Sequence, residues 1–106
     1  NVQIGRGCIL CAQVGIAGSA KLGNYVVIGG SAGVRDNITI GDQVKCAAFA
    51  AIATDTPDGS VIAGIPAHNA RQTFREIRAL ERLPDLIKKV RALEARLESL
   101  DQTENN

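Results

Sequence analysis

Through the first half of the chain an aliphatic residue returns at every sixth position: Ile4, Leu10, Ile16, Leu22, Ile28, Val34, Ile40, Cys46 and Ile52, with Cys46 the one exception to aliphatic character. The residue two places earlier is apolar each time, from Val2 and Cys8 through Val26 and Ile38 to Ala50. The residue one place later is mostly small, as at Gly5, Ala17, Gly23, Gly29, Gly41 and Ala53, with Arg35 breaking the run. Neither a helix of period 3.6 nor a plain strand of period 2 keeps this register. A short strand followed by a corner does, with two side chains per repeat turned inward and the small residue expected to let the backbone bend.

Three such strands close a triangular coil of eighteen residues. Stacking then aligns Leu10, Ile28 and Cys46 in one column, Ile4, Leu22 and Ile40 in a second, and Ile16, Val34 and Ile52 in a third. All three columns are apolar, so the pattern predicts a mainly β fold, a parallel β-helix whose coils pair their backbones about 4.8 Å apart. Val2 to Ala53 supplies nearly three coils, close to the minimum for a stable array, and such arrays need covered ends. Asn1-Val2 falls in mid-face. The reading is therefore of a C-terminal piece, its first edge covered by further coils or by another molecule.

After Ala53 the period stops. Thr54 to Ser60 carries loop chemistry with an Asp58-Gly59 turn signal, Val61-Ile62-Ala63 reads as a short strand, and Gly64-Ile65-Pro66-Ala67 as a turn. From about Asn69 the pattern is helical, with Phe74, Ile77 and Leu80 on one face. Pro84 is expected to break it, giving a two-helix extension. Leu86, Val90, Leu93, Leu97 and Leu100 then follow at spacings of 4, 3, 4 and 3, a heptad seam. The division is 1–67 for coils and exit loop, 68–101 for the two helices, and 102–106 for a frayed tail.

A chain with 45% hydrophobic and 22% charged residues is globular in composition, and a net charge of +1 supplies no global field toward nucleic acid. With Tyr25, Phe49 and Phe74 as its only aromatics it lacks base-stacking platforms, and no apolar run is long enough to span a membrane. Cys8, Cys11 and Cys46 are too few for a disulfide scaffold, and with a single His they do not make a metal site; small buried hydrophobes in a reducing compartment are the simpler reading. His68 is read as a surface or helix-start residue. Basic residues gather in the helical part. Arg71, Arg75, Arg78 and Arg82 recur at spacings of 4, 3 and 4, a stripe suited to an acidic protein partner, although a solvated face laced by i,i+4 ion pairs is the plainer alternative.

Val14-Gly-Ile-Ala-Gly-Ser-Ala-Lys-Leu-Gly23, Val27-Ile-Gly-Gly30 and Ile38-Thr-Ile-Gly-Asp42 resemble the hexapeptide-repeat acyltransferases. More narrowly, Asn1-Val-Gln-Ile-Gly5, Ala12-Gln-Val-Gly-Ile-Ala-Gly18 and Gly64-Ile-Pro-Ala67 are similar to the C-terminal part of the UDP-3-O-acylglucosamine N-acyltransferases of early lipid A synthesis, over roughly residues 1 to 71. The resemblance implies a left-handed parallel β-helix, a cytoplasmic homotrimer, and transfer of a 3-hydroxyacyl chain from acyl carrier protein to a UDP-linked, 3-O-acylated glucosamine. It implies no metal and no bound cofactor, the acyl group arriving on the carrier's phosphopantetheine. It places the general base, a His, immediately before Asn1. Gly18, in the same column as that position and Asp36, becomes the oxyanion-donor candidate, competing with a reading as a corner glycine of unusual φ/ψ. Asn37 is the second candidate, able to donate a hydrogen bond but not to act as a base. The sequence departs from the family pattern at Ser31-Ala32 and Asp36-Asn37. Those departures leave two rivals open: another hexapeptide acyltransferase, O-acylating or coenzyme A-dependent, and a non-catalytic trimerising solenoid.

Overall fold

A computed structural model describes residues 1–105; Asn106 lies outside it. Nine two-residue strands follow one another at six-residue intervals, β1 (Gln3–Ile4), β2 (Ile9–Leu10), β3 (Gly15–Ile16), β4 (Lys21–Leu22), β5 (Val27–Ile28), β6 (Gly33–Val34), β7 (Thr39–Ile40), β8 (Lys45–Cys46) and β9 (Ala51–Ile52). They stack into three parallel sheets. One runs β1-β4-β7, one contains β2-β5-β8, and one runs β3-β6-β9. Pairing joins residues eighteen apart, Ile4 with Leu22, Leu10 with Ile28 and Ile16 with Val34, so the three apolar columns align as the repeat requires. Both inward positions of each repeat fill the axis: Ala20, Val26, Ile28, Ile40 and Val44 are wholly buried. Burying an aliphatic side chain of this size contributes about 1.5–3 kcal/mol against leaving it exposed, and from β4 onward that gain recurs along the columns.

The corners are made differently from the sequence expectation. The bend falls three residues after each column residue, where φ is positive at Gly7, Gln13, Ser19, Tyr25, Ser31, Asn37, Gln43 and Phe49. Seven of these eight carry a side chain, so the left-handed corner is held against the usual steric cost by the stacking on either side. Tyr25 N–H, for example, donates to Arg6 O (2.7 Å) and Gln43 N–H to Asn24 O (2.8 Å). The small residue after each column position does not turn the chain. At Gly5, Gly23, Gly29 and Gly41 it is small because the next coil sits against it: a Cβ on Gly29 would lie 2.5 Å from Ala48 N.

At one corner the close approach comes with a ladder of side-chain acceptors. Asn24 Oδ1 accepts from Arg6 N–H (2.8 Å), Asp42 Oδ1 from Asn24 N–H (2.7 Å) and Asp58 Oδ1 from Asp42 N–H (2.7 Å). Each oxygen lies where a Cβ would otherwise stand on Gly5, Gly23 or Gly41. Glycine and the following Asx are thus one device. Asp42→Ala removes one rung, and a loss of about 1–2 kcal/mol in a urea denaturation measurement is the expected result.

The far end of the solenoid is closed. Thr39 N–H donates to Asp55 Oδ1 (2.8 Å) and Thr56 bridges to Ile40, covering the β1-β4-β7 sheet. Strand β10 (Val61–Ala63) adds to β8 in parallel, and β11 (His68–Asn69) folds back antiparallel on β10 through a turn containing a cis Ile65–Pro66 bond. The near end is open: Ile4, Ile9 and Leu10 are exposed, and their strands pair on one side only.

One helix follows, α1 (Ala70–Asn105), with Asn69 Oδ1 accepting from Gln72 N–H (3.2 Å) as its N-cap. The expected break at Pro84 does not occur, and helix continues to Asn105; the last residue of the expected tail, Asn106, lies outside the described residues. A proline forfeits one ladder bond and costs roughly 3 kcal/mol in a helix interior. Here the surrounding residues are strong helix formers, and the surface on every side is exposed, so water can satisfy the carbonyl freed one turn earlier. Two compact units result, 1–74 and the remainder of the helix, in place of the expected boundary at 67.

Candidate active site

Strands β3 and β6 deliver the chain to the corner where Gly18 and Asn37 lie. Asn37 N–H donates to Gly18 O (3.1 Å), so the two candidates are stacked neighbours on successive coils. The unusual backbone at this corner belongs to Ser19 (φ 63°) and Asn37 (φ 58°), not to Gly18, which corrects the reading of Gly18 as a corner glycine. A Cβ on Gly18 would meet nothing within 4 Å. Neither packing nor conformation asks for glycine there, and its N–H finds no acceptor among the described residues. Asn37 points one amide N–H at Asp36 Oδ2 (3.3 Å), while Arg35 Nε stands 3.7 Å from Asp36 Oδ1. The corner therefore offers a bare backbone donor beside a polar, solvent-accessible Arg35-Asp36-Asn37 edge. It offers no base.

Beside it, the outer face of the β3-β6-β9 sheet is nearly devoid of side chains. Gly15, Gly33 and Ala51 form one row, and Ala17, Arg35 and Ala53 flank it, lining a shallow depression in which Arg35, donating to Ala53 O (3.5 Å), is the one long side chain of the two rows. A Cβ on Gly15 or Gly33 also meets nothing within 4 Å. Sequence reasoning missed this feature because it tracked the residue after each column position. The signal lay in the residue before it, glycine at both 15 and 33.

The remaining sequence candidates lie elsewhere. Arg75, Arg78 and Arg82 share a side of α1 and, with Lys89 and the carboxylates Glu81 and Asp85, line a shallow depression, whereas Arg71 belongs to the solenoid unit. His68 sits half-buried in β11, its Nε2 3.5 Å from the Thr73 hydroxyl, which itself donates to Ala63 O (3.0 Å). It is therefore a strand residue preceding the helix cap. No cluster of three metal-ligating side chains occurs among the described residues, and no helix there is long and apolar enough to cross a membrane. All three cysteines are free. Burial pushes the Cys46 thiol up from its usual range, which keeps it protonated and poorly nucleophilic near neutral pH. Alkylation followed by mass spectrometry is expected to label exposed Cys11 first and Cys46 only after unfolding.

No protein-family model matches the chain. Among curated proteins, it is 46% identical over 83 residues to a UDP-3-O-acylglucosamine N-acyltransferase of Methylobacterium sp. (strain 4-46), a match covering 78% of this chain and 24% of the relative. The same enzyme of Methylococcus capsulatus is 32% identical over 104 residues, 98% of this chain and 29% of the relative. The chain belongs to the UDP-3-O-acylglucosamine N-acyltransferase family. It spans only about a quarter of the length of these relatives. Among solved structures, the acetyltransferase domain of PglB from Neisseria gonorrhoeae, in complex with acetyl coenzyme A, superposes with a TM-score of 0.51 at 34% identity, over 64% of this chain and 30% of that one. Within the family frame the repeat columns, the exit turn and the Gly18 corner acquire a common context, and the M. capsulatus match extends it into the helix.

Proposed function

We propose that this chain forms part of an N-acyltransferase that moves a 3-hydroxyacyl group from acyl carrier protein to the 2-amine of UDP-3-O-acylglucosamine, in the cytoplasm and as a homotrimer. The observation that carries the reading is the 46% identity over 83 residues to a relative of that name. The amine nitrogen attacks the thioester carbonyl, a C–N bond forms, the C–S bond breaks, and the proton lost by nitrogen passes through a base to the leaving thiol. Gly18 N–H is the donor for the oxyanion that develops on the carbonyl oxygen. The open space where its Cβ would stand favours that role. Asn37 contributes polarity at the edge, and the base belongs to the position that the family resemblance puts before Asn1. No metal or resident cofactor enters this scheme.

The basic stripe fits the donor's side of the reaction. Arg75, Arg78 and Arg82 form the docking face for the acidic carrier. Arg75→Glu/Arg78→Glu/Arg82→Glu is expected to weaken carrier binding at least tenfold, with the wild-type affinity falling as salt rises; calorimetry at two ionic strengths measures both. The bare β3-β6-β9 face is the surface for the neighbouring subunit or the acyl chain. Gly33→Val is expected to leave the isolated chain as stable as before, or slightly more so, while lowering activity or association.

A chimera joining this chain to the remaining three quarters of the Methylobacterium relative tests the whole reading. Acyl transfer by the chimera and none by the 106-residue chain alone is the expected result; Gly18→Val in the chimera is expected to lower kcat by 10–10³-fold without lowering thermal stability. A fully active Gly18→Val chimera removes Gly18 from the mechanism. An inactive chimera that folds removes the assignment. The acetyl coenzyme A bound by the gonococcal neighbour favours one second reading, a coenzyme A thioester as donor, and offering both donors to the chimera separates the two.

A further inference from the structure

Two irregularities of the repeat fall side by side. Arg35 is the long residue in a row otherwise held by Ala17 and Ala53, and Asp36 follows it in one column with Gly18. The solenoid needs neither. Their side chains are 67% and 60% exposed, and the ion pair between them, Nε to Oδ1 at 3.7 Å, is of the solvated kind that contributes little to stability. Arg35 reaches over the bare sheet face, where Nη1 donates to Ala53 O (3.5 Å), while Asp36 Oδ2 accepts from the Asn37 amide (3.3 Å). Both carboxylate oxygens keep lone pairs to spare, and the guanidinium keeps most of its donors.

The pair sets a hydrogen-bond donor and an acceptor next to each other. A hydroxyl uses both, since it donates one hydrogen bond and accepts others. A carboxylate would be repelled by Asp36 and an ammonium by Arg35. The distance from Gly18 says which hydroxyl. Asn37 N–H donates to Gly18 O (3.1 Å), so Asp36 stands on the coil directly following Gly18, about 4.8 Å along the stack. With a thioester carbonyl oxygen on Gly18 N–H, a hydroxyl on carbon 3 of the acyl group lies at most about 5 Å from that oxygen. The reach of the one matches the spacing of the other. The row of Gly15, Gly33 and Ala51 alongside leaves space for the carbons beyond it.

We propose that Arg35 and Asp36 determine specificity for the acyl donor: the Asp36 carboxylate accepts the hydrogen of the 3-hydroxyl, the Arg35 guanidinium donates to its oxygen, and a 3-hydroxyacyl thioester is preferred over the unsubstituted thioester of the same length. The assignment rests on the acyl-transfer reading, with Gly18 as oxyanion donor, and names the side chains by which that reaction tells its donors apart.

The chimera, which carries the full chain, is offered 3-hydroxyacyl and unsubstituted acyl carrier protein of one chain length, and the ratio of their kcat/KM values is the readout. It is expected to favour the hydroxylated donor roughly tenfold or more, less than a fully buried hydroxyl site reaches because the pair is open to water. Asp36→Ala and Arg35→Ala are expected to bring the ratio close to one, and Asp36→Asn, which keeps an acceptor oxygen, to retain part of it. A ratio that neither alanine variant moves overturns the proposal, as does a wild-type chimera without preference. So do variants that lose both donors in proportion, the mark of a structural role. A second readout needs no catalysis: in the 106-residue chain, the Arg35 Nε–H resonance is expected to shift with millimolar 3-hydroxybutyryl pantetheine and clearly less with butyryl pantetheine. Equal shifts, or none with either, overturn the proposal. An active chimera with an unmoved ratio leaves the function standing, whereas a folded chimera inactive with both donors sinks the function and this assignment with it.

Discussion

Gly29→Ala is expected to destabilise the solenoid by about 3 kcal/mol or more, and Gly33→Ala by almost nothing. The two glycines are four residues apart in the middle coil, Gly29 directly after β5 and Gly33 opening β6. A Cβ on Gly29 would lie 2.5 Å from Ala48 N, 2.8 Å from Ala47 C and 2.9 Å from Ala48 Cα, all of them backbone atoms of the next coil. No rotamer change relieves such a contact; the coils must separate. Separation stretches the bond from Gly29 N–H to Cys46 O (2.9 Å), and with it the ladder on either side. Gly33 faces open space instead. For a domain of this size, with total stability on the order of 5 kcal/mol, the first substitution removes more than half of it. Urea denaturation of the two variants gives the comparison directly. Equal midpoints would mean that the stack is looser than its hydrogen bonds indicate.

Ile28→Ala is expected to cost about 3–4 kcal/mol, against roughly 1 kcal/mol for Leu10→Ala in the same column. Ile28 is wholly buried, held between Leu10 on one coil and Cys46 on the other, so truncation leaves a cavity that the rigid stack cannot collapse. Leu10 lies on the open first coil and is 37% exposed. Water already reaches it, and less is lost. Anything that covers the first coil, whether further coils or another molecule, should raise the Leu10→Ala cost toward that of Ile28→Ala. Repeating the Leu10→Ala measurement in the chimera checks this.

The fold was legible because a solenoid writes its geometry into the chain as a period. Ile4, Leu22 and Ile40 stand one above another for the same reason that they stand eighteen residues apart, and no long-range pairing had to be guessed. The local signals were read less well. Small residues after each column position look like hinge points, yet they answer a contact with a coil eighteen residues away. Four of the eight corners fall on Gln13, Tyr25, Gln43 and Phe49, residue types that carry no turn signal. Pro84 misled in the other direction. Its local preference opposes an interior helix position, but a single lost bond on a fully exposed helix is outweighed by the favourable residues around it.

The candidate site was half legible. Gly18 and Asn37 could be set in adjacent columns by counting, and the structure stacks them through a backbone bond of 3.1 Å. What counting could not supply was the reason for the glycine, because that depends on which atoms surround a Cβ that is not there. The bare face at Gly15 and Gly33 escaped for the same reason. Sequence alone determined the repeat, the columns and the seam, all of which depend on spacing along one chain. Tertiary structure decided where the chain turns, which glycines are forced by a neighbouring coil, and that the helix stays whole. Those outcomes are set by close contacts between coils, or by the balance of many small terms along a helix, and neither is carried by any single residue's type.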